Sequence, residues 1–184
     1  MLFIPTVFVK KGSSKFNCNL VKSYLCNYGI VYVSAEGEAI NLCVWILSQL
    51  RKELTVTQEY ISRSKSGQPQ LSFFVQNGMP SGVRPYDDDA CKGCIKVGPH
   101  SNVDIIKRLI ISNNASTLIA AGHGCLPLCE MVVYAYDLDF AICNIDCIET
   151  IDDDGKPKVG LQVYISHTSP QNALLGMQCE DVVQ

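Results

Sequence analysis

No apolar run in this chain approaches the roughly 18 residues that a membrane-spanning helix requires. Charge is thin, at 18% of 184 residues against 47% hydrophobic, which is the balance of a globular protein and not of a disordered one. The apolar start, Met1-Leu2-Phe3-Ile4-Pro5, has neither the basic segment nor the cleavage site of a secretory leader. An intracellular setting, cytoplasmic or nuclear, is expected. Only one Cys-x-x-Cys occurs, Cys91 to Cys94, and no His-x-x-x-His accompanies it. A closed structural zinc site needs four ligands, so no metal is expected. No carboxylate is placed to orient a Cys125–His123 nucleophile pair, and residues two apart at a helix start seldom face each other. The chain is read as a non-enzyme with no cofactor.

Ten cysteines are many for an intracellular protein. They sit mostly inside apolar runs, as Cys43, Cys129 and Cys143 do, and not in the turn-rich spacing of a disulfide scaffold. Most are read as small buried hydrophobes. The pairs Cys125–Cys129 and Cys143–Cys147 would each share one face, of a helix and of a strand.

What the sequence does contain is the same unit written twice. At an offset of 86 residues, Val9-Lys10-Lys11-Gly12 matches Ile95-Lys96-Val97-Gly98. Ser34-Ala35-Glu36-Gly37-Glu38 with Leu42-Cys43 matches Ala120-Ala121-Gly122-His123-Gly124 with Leu128-Cys129. A unit near 85 residues, present twice, is a duplicated domain and not a solenoid.

Net charge divides between the copies. Residues 1–83 hold eight Lys/Arg against four Asp/Glu, a net of +4, and residues 84–184 hold seven against fourteen, a net of −7. Only the first copy has the electrostatics of a polyanion binder.

Periodicity gives the same element order in both copies. In the first, Thr6-Val7-Phe8-Val9 reads as a strand, followed by the basic loop Lys10 to Lys15. Leu20, Val21, Tyr24, Leu25 and Tyr28 recur at helical spacing, with Asn17 or Asn19 as N-cap and Gly29 as stop. Ile30 to Val33 is a second strand. A helix from Glu38 or Asn41 to Leu54 buries Ile40, Cys43, Val44, Leu47, Leu50 and Leu54, and strands Val56–Ser62 and Gln70–Val75 close the unit. In the second copy, Cys94–Val97 is a strand. A helix capped by Asn102 buries Val103, Ile106, Leu109 and Ile110. Thr117–Ala121 is a strand, Pro127 suits a helix first turn, and Leu138–Ile148 and Val159–Ile165 form a hairpin around Asp152-Asp153-Asp154-Gly155.

The fold class is therefore α/β, more narrowly α+β in two layers: two βαβαββ units forming an intrachain mimic of a homodimer. The divisions expected are residues 1–78 (basic domain), 79–92 (linker), 93–168 (acidic domain) and 169–184 (tail). Tyr24, Tyr28, Tyr32, Trp45, Phe73 and Phe74 read as core rather than as base-stacking groups. Gly122-His123-Gly124 reads as a strand-to-helix turn rather than as an anion cradle.

The order, with Lys10-Lys11 after strand one, Leu20-Val21-Lys22-Ser23-Tyr24-Leu25, and Val33-Ser34-Ala35-Glu36-Gly37-Glu38-Ala39-Ile40, resembles the Alba family of small DNA- and RNA-binding proteins. The resemblance covers residues 6–76 well and 93–168 more weakly. It implies dimer-like pairing and nucleic-acid contact through a lysine loop after strand one and a basic hairpin arm. By position, Lys10 and Lys11 fall in the loop, Lys15 lies nearby, and Arg63 and Lys65 fall in the arm. Two departures stand out. Glu36 and Glu38 flank the glycine where many relatives carry arginine, and the second copy has Val97 at the loop lysine and aspartates in its arm.

The expected function is electrostatic binding of nucleic acid, RNA ahead of DNA, through Lys10, Lys11, Lys15, Arg63 and Lys65. Protein partners in a ribonucleoprotein or chromatin complex would follow, with no membrane role, and further association of the fused pair is left open. Five phosphate contacts give a log–log salt slope of about −3.5 on single strands. The alternative is a protein-interaction or assembly module that has lost nucleic-acid binding, which Glu36, Glu38 and the acidic arm favour.

Overall fold

The computed structural model describes residues 3–82, 84–85, 94–135, 140–151 and 154–167. The first unit runs β1 (Thr6–Phe8), α1 (Ser14–Tyr28), β2 (Ile30–Glu36), α2 (Ala39–Arg51), β3 (Thr55–Arg63) and β4 (Pro69–Gln76). Its sheet has the order β1-β2-β4-β3, with β1 parallel to β2 and the other pairs antiparallel. After the two-residue β5 (Arg84–Pro85), the second unit repeats the series as β6 (Ile95–Val97), α3 (Val103–Asn113), β7 (Thr117–Ala121), α4 (Cys125–Val133), β8 (Ala141–Ile151) and β9 (Pro157–Ser166). Its sheet order is β5-β8-β9-β7-β6. Without β5 this is the topology of the first unit.

Local chemistry sets the boundaries. Helix α1 starts earlier than the asparagines suggest, because the Ser13 hydroxyl accepts from the Phe16 N–H at 3.3 Å. Asn17 lies inside the helix and is buried. Gly29, at φ +78°, closes it and donates to the Leu25 carbonyl at 2.9 Å. Asn102 caps α3 as expected, its side chain accepting from the Ile105 N–H at 2.9 Å. On α3 only Ile106 and Ile110 are fully buried, whereas Leu109 is exposed, so the core stripe is narrower than the apolar pattern.

The register of the duplication differs from the 86-residue match. Val7 pairs with Val33, and Val33 with Phe73; Ile95 pairs with Leu118, and Leu118 with Val163. Val33 therefore corresponds to Leu118 and Val7 to Ile95, so the first strands are offset by 88 residues and the second strands by 85. Gly37 and Gly122 align on the second offset, and both are left-handed, at φ +55° and +52°. On the first, Val97 is the counterpart of buried Val9 and not of Lys11. Matching Lys and Gly by identity slips the frame, because pairing is fixed by which face is buried.

The two units share a single hydrophobic core. Helix α2 lies on β8 and β9, α4 lies reciprocally on β3 and β4, and the two helices meet. This is the expected mimic of a homodimer. Leu47, Leu50, Leu128 and Met131 are fully buried in it. Four cysteines, Cys43, Cys125, Cys129 and Cys147, are buried there too, with the Cys147 thiol 3.9 Å from the Val44 carbonyl of the other unit. Cys143 does not share a face with Cys147. A bulge between Ile142 and Asn144 reverses the alternation, leaving Cys143 exposed and Cys147 buried.

The segment expected as a linker is tied to both units. Thr55 Oγ1 donates to the Met79 carbonyl at 2.6 Å, the Gly82 N–H donates to the Arg51 carbonyl at 2.9 Å, and β5 pairs with β8. Among the described residues no helix is long and apolar enough to cross a membrane.

Candidate nucleic-acid interface

Parallel β1 and β2 finish at the same end of the first sheet, and the β3–β4 hairpin turns there too. The topology thus brings the Lys10-Lys11 loop, the Glu36-Gly37-Glu38 turn and the hairpin residues Arg63 to Gln68 to one end. Gly37 ties the middle, its N–H donating to the Pro69 carbonyl at 3.0 Å. Gly37 takes φ +55°, which favours glycine, whereas a Cβ there would meet only the end of the Gln68 side chain, 2.8 Å away, which can turn aside.

Lys10 and Lys65 are both exposed and lie on opposite edges of the sheet. Three strand spacings separate β1 from β3, about 14 Å. The hairpin is a compact turn rather than a long arm. The Gly67 N–H donates to the Ser64 carbonyl at 2.9 Å, the Ser64 N–H to the Gln68 carbonyl at 2.8 Å, and Gly67 takes φ +83°. Lys65 sits at its tip.

The other three expected contacts are engaged or displaced. Lys11 forms an ion pair with Glu38, and both side chains are well exposed. The hydrogen bond from Lys11 and its charge hold the Glu38 carboxyl below the usual carboxylate range. Arg63 lays its guanidinium over the Tyr134 ring, 4.2 Å from the centroid, so the second unit grips it by a cation–π contact. Lys15 leaves the loop altogether. It sits in the first turn of α1 and lines a cleft of about 370 Å³ between α1 and α2, with Lys22, Lys52 and half-exposed Trp45. Across this cleft Lys22 pairs with Glu53 at 2.6 Å.

The corresponding end of the second unit carries no loop lysine. Gly98 stands at the position of Lys10, followed by Pro99 and His100, and His123 stands at that of Glu38. Its hairpin includes Asp154 but also Lys156 and Lys158; Asp152 and Asp153 lie outside the described residues. The expectation of an acidic arm is thus tempered by the strand that follows it. Gly124 is structural, since a Cβ there would meet the Val97 carbonyl oxygen at 2.3 Å. The glycines of Gly122-His123-Gly124 serve the turn, as expected, and His123 is exposed.

Burial governs the thiols. It pushes Cys125 and Cys147 up to about 12, and Cys43 and Cys129 upward as well. They are neutral thiols near pH 7, poor nucleophiles and poor metal ligands. Among the described residues no group of three or more His, Cys, Asp or Glu side chains is arranged to hold a metal ion; Cys91 lies outside them.

The aromatic residues depart most from expectation. Phe73 is fully buried, but Tyr28 and Trp45 are 45% and 39% exposed, and Tyr32 and Phe74 are only partly covered. Strict alternation would have separated Phe73 from Phe74, because neighbours on a strand face opposite ways. No family model matches this chain, and no curated protein matches it.

Proposed function

We propose that the chain is a non-enzymatic, Alba-like nucleic-acid-binding protein that holds a strand, RNA ahead of DNA, at the loop-and-hairpin end of its first unit. The observation carrying this reading is the convergence of Lys10, Lys11, Arg63 and Lys65 on one sheet end, in the half of the chain with net charge +4. Lysines act there as point charges toward phosphates, so binding is electrostatic and carries little sequence information. Lys15 belongs to the helix-side cleft and drops out of the set. The remaining four contacts give a slope of about −3 on single strands once Lys11 leaves Glu38 and Arg63 turns outward.

The test is affinity for single-stranded RNA and duplex DNA across a salt series, with Lys10→Glu/Lys11→Glu as control. Loss of affinity in the double variant and a slope near that value support the reading. No affinity for either nucleic acid at low salt overturns it. The Lys11–Glu38 pair favours a second reading, a protein-assembly module in a ribonucleoprotein or chromatin complex, because it cancels one loop charge without a ligand. That module would retain its protein partners after nuclease treatment. A cytoplasmic or nuclear location suits either reading.

A further inference from the structure

The outer face of the first sheet, away from the helices, is an aromatic surface. Alternation sends Val7, Val31, Val33, Leu71, Phe73 and Val75 into the core. It sends Phe8, Tyr32, Ser34, Gln70, Ser72 and Phe74 to the other side. Tyr32 and Phe74 are directly paired across β2 and β4, with ring centroids 5.0 Å apart and planes tilted by 53°. Phe8 is 61% exposed on the adjoining edge strand, opposite Ser34. Between them Gln70 donates to the Ser34 hydroxyl at 2.6 Å, and Ser34 and Ser72 lie covered beneath the larger side chains of this face.

We infer that this face stacks the unpaired bases of the strand whose phosphates meet Lys10 and Lys65, with Phe8, Tyr32 and Phe74 as the stacking groups. Charge complementarity selects the occupant. Lys10 is two residues beyond Phe8, so alternation turns it to the same side, while Val9 between them is buried. The aromatic surface therefore has a cation at its rim, on the side where the loop begins. The second unit supplies the contrast. Its equivalents of Phe8, Tyr32 and Ser34 are Lys96, Thr117 and Ile119, and only Tyr164 matches an aromatic position. The exposed ring of Phe8, the Tyr32–Phe74 pair and the lysine loop occur together in the first unit, whereas the second keeps one partly covered ring, Tyr164, and no loop lysine. Stacking tolerates any base, since every base has a π face, and it requires bases free of a complementary strand.

The inference rests on the nucleic-acid reading and specifies how bases are held, so its test uses the full chain and separates the two. Binding of a labelled uridine oligonucleotide, and of a duplex of the same length, is followed across a salt series for wild type, Phe8→Ala, Phe8→Tyr and Phe74→Leu. Phe8→Ala and Phe74→Leu are each expected to weaken the single strand by about tenfold. The salt slope should hold, duplex binding should be unchanged, and Phe8→Tyr should retain wild-type affinity. Phe8 is exposed on an edge strand, so Phe8→Ala decides the matter should Phe74→Leu disturb folding. Wild-type affinity in Phe8→Ala overturns the stacking surface and leaves the electrostatic reading standing. Equal losses on single strand and duplex overturn it too. Absence of binding by the wild type at low salt overturns both.

Discussion

The two units have one topology and two surfaces. Their inner faces are near copies: Val33 and Leu118, Ala35 and Ala120, Leu71 and Leu161 occupy matching buried positions in matching ladders. Their outer faces are not. Where the first presents Phe8, Tyr32, Lys10 and Glu38, the second presents Lys96, Thr117, Gly98 and His123. Packing needs volume and apolarity at fixed positions, and the shared core imposes that need on both units alike. Solvent-facing positions are constrained only by what touches them, so two copies joined in one chain are free to diverge there. The proposed binding would use the outer surface of the first unit, with the second as its packing partner.

The comparison breaks most severely where a glycine in one unit faces an alanine in the other. Gly124 corresponds to Ala39, and a Cβ at Gly124 would meet the Val97 carbonyl oxygen at 2.3 Å. Gly124→Ala should cost about 3 kcal/mol or more, within the range of severe core strain. Ala39→Gly should cost about 1 kcal/mol, from helix propensity. Urea denaturation of both variants measures the asymmetry, and equal costs would contradict the register assigned here.

Next in size is a test of whether the units are one folding body. Leu128→Ala, at the junction of α4 with the first unit, should cost about 2–5 kcal/mol. Because the core is continuous, probes in both units should report one shared transition at a lower denaturant concentration. Separate transitions would show that the units fold independently.

A smaller, pH-dependent effect belongs to the buried thiols. Folding raises Cys125 and Cys147 to about 12 from an ordinary value near 9. Their contribution is complete below the ordinary value and is lost as pH rises toward 12. Stability should therefore decline from about pH 9 upward, and Cys147→Ala should flatten that decline. In native protein, thiol reagents should modify exposed Cys26 and Cys143 well before the four buried cysteines. Fast labelling of Cys43 would refute this order.

The mildest change sharpens the charge comparison. Glu38→Gln removes the ion pair that Lys11 must leave in order to bind, so the single-strand salt slope should stay near about −3, the same four contacts being made. Affinity at low salt should rise several-fold. Unchanged affinity would mean that Lys11 contributes nothing to binding.

Much of the fold was legible because it rests on periodic burial. Thr117–Ala121 is the strand expected, Gly29 and Asn102 cap where expected, and Ile40, Cys43, Val44, Leu47 and Leu50 of α2 are buried as their spacing gives, though the helix ends at Arg51, before Leu54. What was not legible depended on events the period does not encode. One bulged residue in β8 turned Cys143 away from Cys147, and the offset of the first strands, 88 residues rather than 86, matched Val97 with buried Val9 instead of with Lys11. Of the expected site, Lys10, Lys11, Arg63 and Lys65 converge, while Lys15 does not, since Ser13 starts the helix early and carries Lys15 onto its first turn. Phe8, Tyr32 and Phe74 could have been found from alternation alone. Their hydrophobicity argued for the core, but strand parity argued for the outer face.

By itself the sequence determined that there are two like units, most of the aliphatic residues of their shared core, and that positive charge is concentrated in the first. These follow from local spacing and composition, which each stretch of chain carries within it. Tertiary structure alone decided which charges remain available, because partners far apart in sequence meet only after folding. Tyr134 reaches Arg63 across the junction of the units, and Glu38 reaches Lys11 across a helix and a strand.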